Sequence, residues 1–180
     1  MIKINFEDTY DPTEVSTDLS SVTFYSVDLD KGPVVIKVAI EPLEDPLLPK
    51  VFNLAFGPIN EHGNIDDTAK VRHENISKMF STVLIIALFF LEQYPDSHIG
   101  LDGSNDVRAY LYHRMFRANR YLLGEFFDAV GLDWYVRLLR NNEIERDEEG
   151  FAYFKPRPEP FDYQRPDIDL YRYYMFNLKQ

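Results

Sequence analysis

The chain has 180 residues, 45% hydrophobic and 15% aromatic, which suits one domain with a real core and is too apolar for a disordered protein. Its formal net charge of −11 disfavours nonspecific binding of DNA or RNA by the surface as a whole. The absence of cysteine excludes a disulfide framework, a thiolate zinc site and a cysteine nucleophile.

The opening MIKINFEDTYDPTE places acids where a signal peptide needs an apolar core, and the most apolar run, Val83 to Leu91, is short for a bilayer span. A cytoplasmic protein with no membrane contact is expected. Residues 1–20 are polar and are expected to pack loosely. SVTFYSVDL (21–29) and PVVIKVAIEPL (33–43), rich in β-branched residues and separated by the turn signal DKG, predict a hairpin. EDPLLPK (44–50) breaks the sheet with two prolines. VFNLAFG (51–57), PINEHGN (58–64) and IDDTAKVR (65–72) predict a second hairpin, so the first half reads as an antiparallel meander.

A helix follows, with Asn75 as N-cap. Ile76, Met79, Phe80, Val83, Leu84, Ala87, Phe90 and Leu91 recur at helical spacing, so it should be buried on most of its circumference. Pro95 ends it, and HIGLDG (98–103) predicts a short strand. The spacing predicts a second, amphipathic helix over 105–130, with Gly131 as its C′ glycine. LDWYVRLLR (132–140) and EGFAYFKP predict late strands around the charged connection 141–149. The order ββββαβαββ is an α+β domain over 1–155. The extension 156–180 is stiffened by Pro156, Pro158, Pro160 and Pro166 and loaded with aromatics, which predicts packing on its own domain, on a second copy or on a protein partner.

The stretch GLDGSNDVR (100–108) runs from strand into helix. The free N–H groups at such a helix start, with Gly103, Ser104 and Asn105, form a candidate anion site. A wheel at 100° per residue puts Arg108 on the apolar arc of the first turn, where an inward-facing cation needs a negative partner. That partner is either an internal carboxylate such as Asp66, Asp67 or Asp102, or a ligand phosphate or carboxylate. The same wheel puts His113, Arg114, Arg117 and Arg120 on the opposite arc beside Tyr110 and Tyr121. This stripe either binds an acidic partner or a polyanion locally, or is a solvated face pairing with the chain's own acids. His62, His73, His98 and His113 show no metal-ligand spacing, so neither metal nor cofactor is expected. Asp66 and Asp67 with His73 form a weak acid–base candidate.

Several segments together resemble an uncharacterised family of small bacterial proteins. They are VFNLAFGPINEHGNIDD, the STV and FLEQYP of the long helix, and GSNDVRAYLYHR, spanning roughly residues 20–135. The family pattern has an Asn-Leu-x-Phe-Gly strand, an Asp-Asp pair, and Gly-Ser followed by Arg and Leu-Tyr. Here Asn105 stands where the family usually has Thr, and Val107 where a small residue is usual. The resemblance implies a bacterial, cytoplasmic, single-domain protein, marks Gly103, Ser104 and Arg108, and names no reaction. Two functional expectations follow. One is a non-catalytic binding or regulatory protein, such as a toxin–antitoxin or phage-defence component. The other is an enzyme acting on a phosphorylated small molecule or RNA through Gly103, Ser104 and Arg108. A third arrangement is a structural homo-oligomer locked by the extension.

Overall fold

Period-2 alternation builds the first half of the molecule. In β2 (Ser21–Asp28) the side chains of Val22, Phe24, Ser26 and Asp28 are buried while Tyr25 is exposed. In β3 (Gly32–Pro42), Ile36, Val38 and Ile40 continue that buried face, and Gly32 closes the hairpin at φ +79°. These details come from a computed structural model, which describes residues 1–66 and 69–179. β4 (Val51–Pro58) follows as expected. The fourth strand of the meander is an N-terminal one, β1 (Pro12–Val15), paired to β2.

The polar first twenty residues are therefore not loosely packed. Ile2 and Ile4 are buried, and the N–H groups of Lys3, Asn5 and Tyr10 donate to the hydroxyls of Ser77, Ser81 and Thr82. The second hairpin does not form among the described residues. Only an isolated bridge, Ile59 to Ile65, joins the two segments.

Helix α1 (Ile76–Gln93) begins where Asn75 Oδ1 accepts the Lys78 N–H at 2.9 Å. By length and composition it could cross a membrane, yet eleven of its residues are buried against the sheet. It leads to β5 (His98–Asp102), parallel to β4. The second helix is shorter than its period suggests. α2 (Asp106–Ala118) and α3 (Arg120–Phe126) break at Asn119, whose amide donates to the carbonyls of Ile2 and Met115 and accepts the Ile4 N–H. The chain then enters β6 (Phe127–Val136), so Gly131 is a mid-strand residue and not a helix cap.

The C-terminal segment is sheet. β7 (Phe154–Pro160) pairs with β6 and runs across position 155, so a boundary drawn there divides a strand. β8 (Tyr173–Leu178) lies between β5 and β6, antiparallel to both, giving the order β1-β2-β3-β4-β5-β8-β6-β7. One face of β8 sends Tyr174 and Phe176 into the main core beneath α1 and α2. The other sends Tyr173 and Met175 into a smaller cluster with Leu48, Val51 and Leu132. Glycines admit these rings. A methyl group at Gly100 would sit 2.2 Å from Tyr173, at Gly131 2.2 Å from Tyr171, and at Gly103 2.8 Å from Tyr174.

Candidate functional site

The helix start at 100–108 is occupied by the chain's own groups. The Asp102 carboxylate accepts the Ser104 N–H at 2.8 Å and the Ser104 hydroxyl at 3.1 Å. Asn105 Oδ1 accepts the Val107 N–H at 2.8 Å, and Asp106 in the first turn takes the Arg172 guanidinium. Gly103 serves packing: its N–H donates to the Arg172 carbonyl and its bare Cα lies under the Tyr174 ring. Arg108 does not face inward. The first turn of α2 projects past the core, Ser104 through Arg108 are exposed, and Ala109 is the first residue to pack. Burial pushes the Tyr112 hydroxyl up to about 12, while Arg108 pulls it down and Asp102 pushes it further up.

Neighbouring segments converge on this end of the sheet, where the parallel strands β4 and β5 finish. The Asp66 N–H donates to the Pro58 carbonyl, and Ile65 packs against Gly57. Asp67 lies outside the described residues. His73 Nδ1 is 2.9 Å from the Ser26 hydroxyl and borders the buried Asp28. Among the described residues, no three His, Asp or Glu side chains gather so as to hold a metal ion.

The basic stripe is three arginines without the histidine. Arg114, Arg117 and Arg120 are exposed, with Arg114 over the Tyr110 ring and Arg120 over the Tyr121 ring. Arg114 and Arg117 border a cleft of about 390 Å³ shared with Asp167. His113 is fully buried, stacked on Phe161 at 5.2 Å, with no hydrogen-bond partner at either ring nitrogen among the described residues. The wheel fails here because Phe161 covers the flank of α2 that the helix alone would leave in water.

Burial lowers the pKa of His73, His98 and His113 below the ordinary histidine value. Asp28 opposes this at His73 and Lys50 reinforces it at His98. At His113, Arg117 and Arg165 reinforce it while Asp167 and Asp162 oppose it. The unfolded chain binds these protons near pH 6.5, and the folded chain binds them only at lower pH. Stability is therefore full above about pH 6.5 and falls as the pH drops below it. Urea midpoints at pH 7.5 and 5.5 should show this loss, and a His113→Phe variant should lose less over the same interval. An equal loss in that variant would remove His113 from the account.

The feature that sequence reading passed over is the connection between β6 and β7. Residues 137–153 are not a plain charged loop. They form a small ordered meander, with bridges Leu138 to Ile144 and Arg146 to Ala152, turning at Asn142 (φ +63°) and Gly150 (φ +89°). This arm leaves large apolar side chains in water: Leu138 is 64% exposed, Phe151 67% and Phe154 57%, beside partly exposed Trp134 and Ile144. The alternation of these residues with charges in LLRNNEIERDEEGFAYF was its available signal.

A model of a family of unknown function matches residues 7–154. No curated protein and no solved structure matches the chain.

Proposed function

The chain belongs to DUF6934, a family of unknown function, and on that premise we propose that the protein is a non-catalytic binding or regulatory protein that docks on another protein through the β6–β7 arm. The observation that carries this reading is a hydrogen-bonded arm that spends its backbone order on holding apolar side chains in solvent. Large apolar side chains held in water on one ordered segment mark interaction sites, and aromatic anchors dominate their energetics. The mode of docking is by side chains and not by strand addition. β7 has proline at 156, 158 and 160, so its N–H groups toward β6 come from the residues between, and the outward edge lacks donors. The arm also carries Asp147, Glu148 and Glu149 at its tip, and the chain is strongly acidic, so the complementary surface is an apolar strip flanked by basic residues. The helix start at Ser104 supports a binding role more than a phosphate-handling one, because its N–H and hydroxyl are already held by Asp102.

The test is a Leu138→Asp, Phe151→Asp double variant. Both side chains are mostly in water, so its melting should match the parent to within about 0.5 kcal/mol. The parent should co-elute from native lysate with a stoichiometric basic protein, and the variant should bind that protein at least about 30-fold more weakly. A parent that elutes as a lone monomer, or a variant that retains the partner, would sink the reading.

A further inference from the structure

A second site lies away from the arm, between the N-terminal segment and α1. After Tyr10 the segment leaves the helix to pair with β2 as β1, and the divergence opens a pocket of about 330 Å³. Val22 and Phe24 of the sheet form its floor, Ile85, Ile86 and Phe89 its helical wall, and Tyr10, Val15 and Leu19 its outer wall. Tyr10 is stacked on Phe24 at 5.5 Å, which fixes that corner. The mouth is apolar too: Phe89, near the C-terminal end of α1, is 52% exposed and Val15 50%.

We propose that this pocket binds one small uncharged hydrocarbon, a chain or ring system of roughly twelve heavy atoms. The size follows from volume, since an apolar cavity of about 150 Å³ holds benzene and this one is roughly twice as large. The lack of charge follows from the lining, which among the described residues contains no ionisable group besides the Tyr10 phenol. The cation beside it, Lys78, is already paired with Asp8 at 2.9 Å and sits over the Tyr10 ring. A peptide is a poorer occupant because the polar groups at the Tyr10–Thr82 corner already serve one another and Lys78. The Tyr10 N–H is held by Thr82, and the Thr82 hydroxyl donates to the Lys78 carbonyl. Pockets with mostly apolar walls and few free polar groups suit such ligands.

The probe is 1-naphthylamine, a polarity-sensitive fluorophore of about eleven heavy atoms that is uncharged at neutral pH, titrated into the full chain with decan-1-ol and naphthalene as competitors. Val15→Trp and Ile85→Trp fill the pocket from its rim. The expected result is saturable 1:1 binding, displaced by decan-1-ol if the site takes chains and by naphthalene if it takes rings. Each filled variant should bind at least tenfold more weakly with undiminished melting temperature, and the parent's melting should rise with ligand. Absence of saturable binding would overturn the proposal. So would binding unchanged in both filled variants, or binding lost in the Leu138→Asp, Phe151→Asp variant, which would place the probe on the arm.

Discussion

Ending the chain at Leu170 is expected to leave no cooperative unfolding transition by circular dichroism. β8 is the strand through which β5 and β6 are joined, and every one of its residues pairs with at least one of them. Without it the β6–β7 hairpin is detached from the sheet, and the main core loses Tyr171, Tyr174 and Phe176, all fully buried. A milder substitution measures the same dependence. Tyr174→Ala removes a ring that packs against Tyr112, Phe116 and Phe161 and a hydroxyl that donates to the Ala109 carbonyl at 2.8 Å. Its cost should be about 3–5 kcal/mol by urea denaturation, the range for large buried aromatics. Tyr174→Phe should cost about 1 kcal/mol, because the hydrogen bond goes while the packing stays. A cooperative transition in the shortened chain would mean that β5 and β6 can close on each other without β8.

The second large effect concerns glycines and has opposite signs at two positions. Gly131→Ala places a methyl group 2.2 Å from the Tyr171 ring. That ring cannot step aside. Its hydroxyl donates to Glu159 at 2.8 Å and accepts the Asp162 N–H at 3.1 Å, and the Arg165 guanidinium lies 4.0 Å from its centroid. Arg165 is itself tied to Asp133 at 2.8 Å and Glu159 at 3.3 Å. Overpacking against so constrained a group should cost about 3 kcal/mol. Gly124 lies within α3, and a methyl group there meets nothing within 4 Å. Gly124→Ala should therefore stabilise the protein by about 0.5–1 kcal/mol through helix propensity and a smaller unfolded-state entropy. Urea midpoints for the two variants should move in opposite directions. A Gly131→Ala protein as stable as the parent would show that the Tyr171 network yields.

The parts of this fold legible in the sequence are those written in local pattern. Alternation and a turn glycine mark β2 and β3, a capping asparagine and an apolar run mark α1, and Pro95 marks its end. The misread parts are set by distant partners. Leu122, Leu123 and Phe126 do lie in a helix, α3, but Asn119, recruited to the backbone of Ile2 and Ile4, parts it from α2, and past Phe126 the chain pairs with β8, so Val130 is a strand residue. β1 is exposed at every position and so carries no alternation to read. At 100–108 the sequence displays the polar groups but not their partners. Asp102 closes the turn over Ser104, and Arg108 stands exposed because the helix overhangs the core, which no wheel can show. His113 falls on the wheel's solvent arc for a related reason, since its covering group, Phe161, lies 48 residues away.

The position of β8 also has a kinetic consequence. The strand that unites the sheet is made after every other strand, so during synthesis β1–β5 and β6–β7 stand as separate pieces until residues 173–178 leave the ribosome. For that interval β5 and β6 each present an open edge of unpaired backbone, the template on which nascent chains misassociate. Closure then requires contacts between segments more than seventy residues apart, such as Ile99 with Phe176. Such topologies fold slowly. Folding of this sheet therefore waits on its last strand and passes through a window of vulnerability, and its yield should depend on how quickly that strand is delivered.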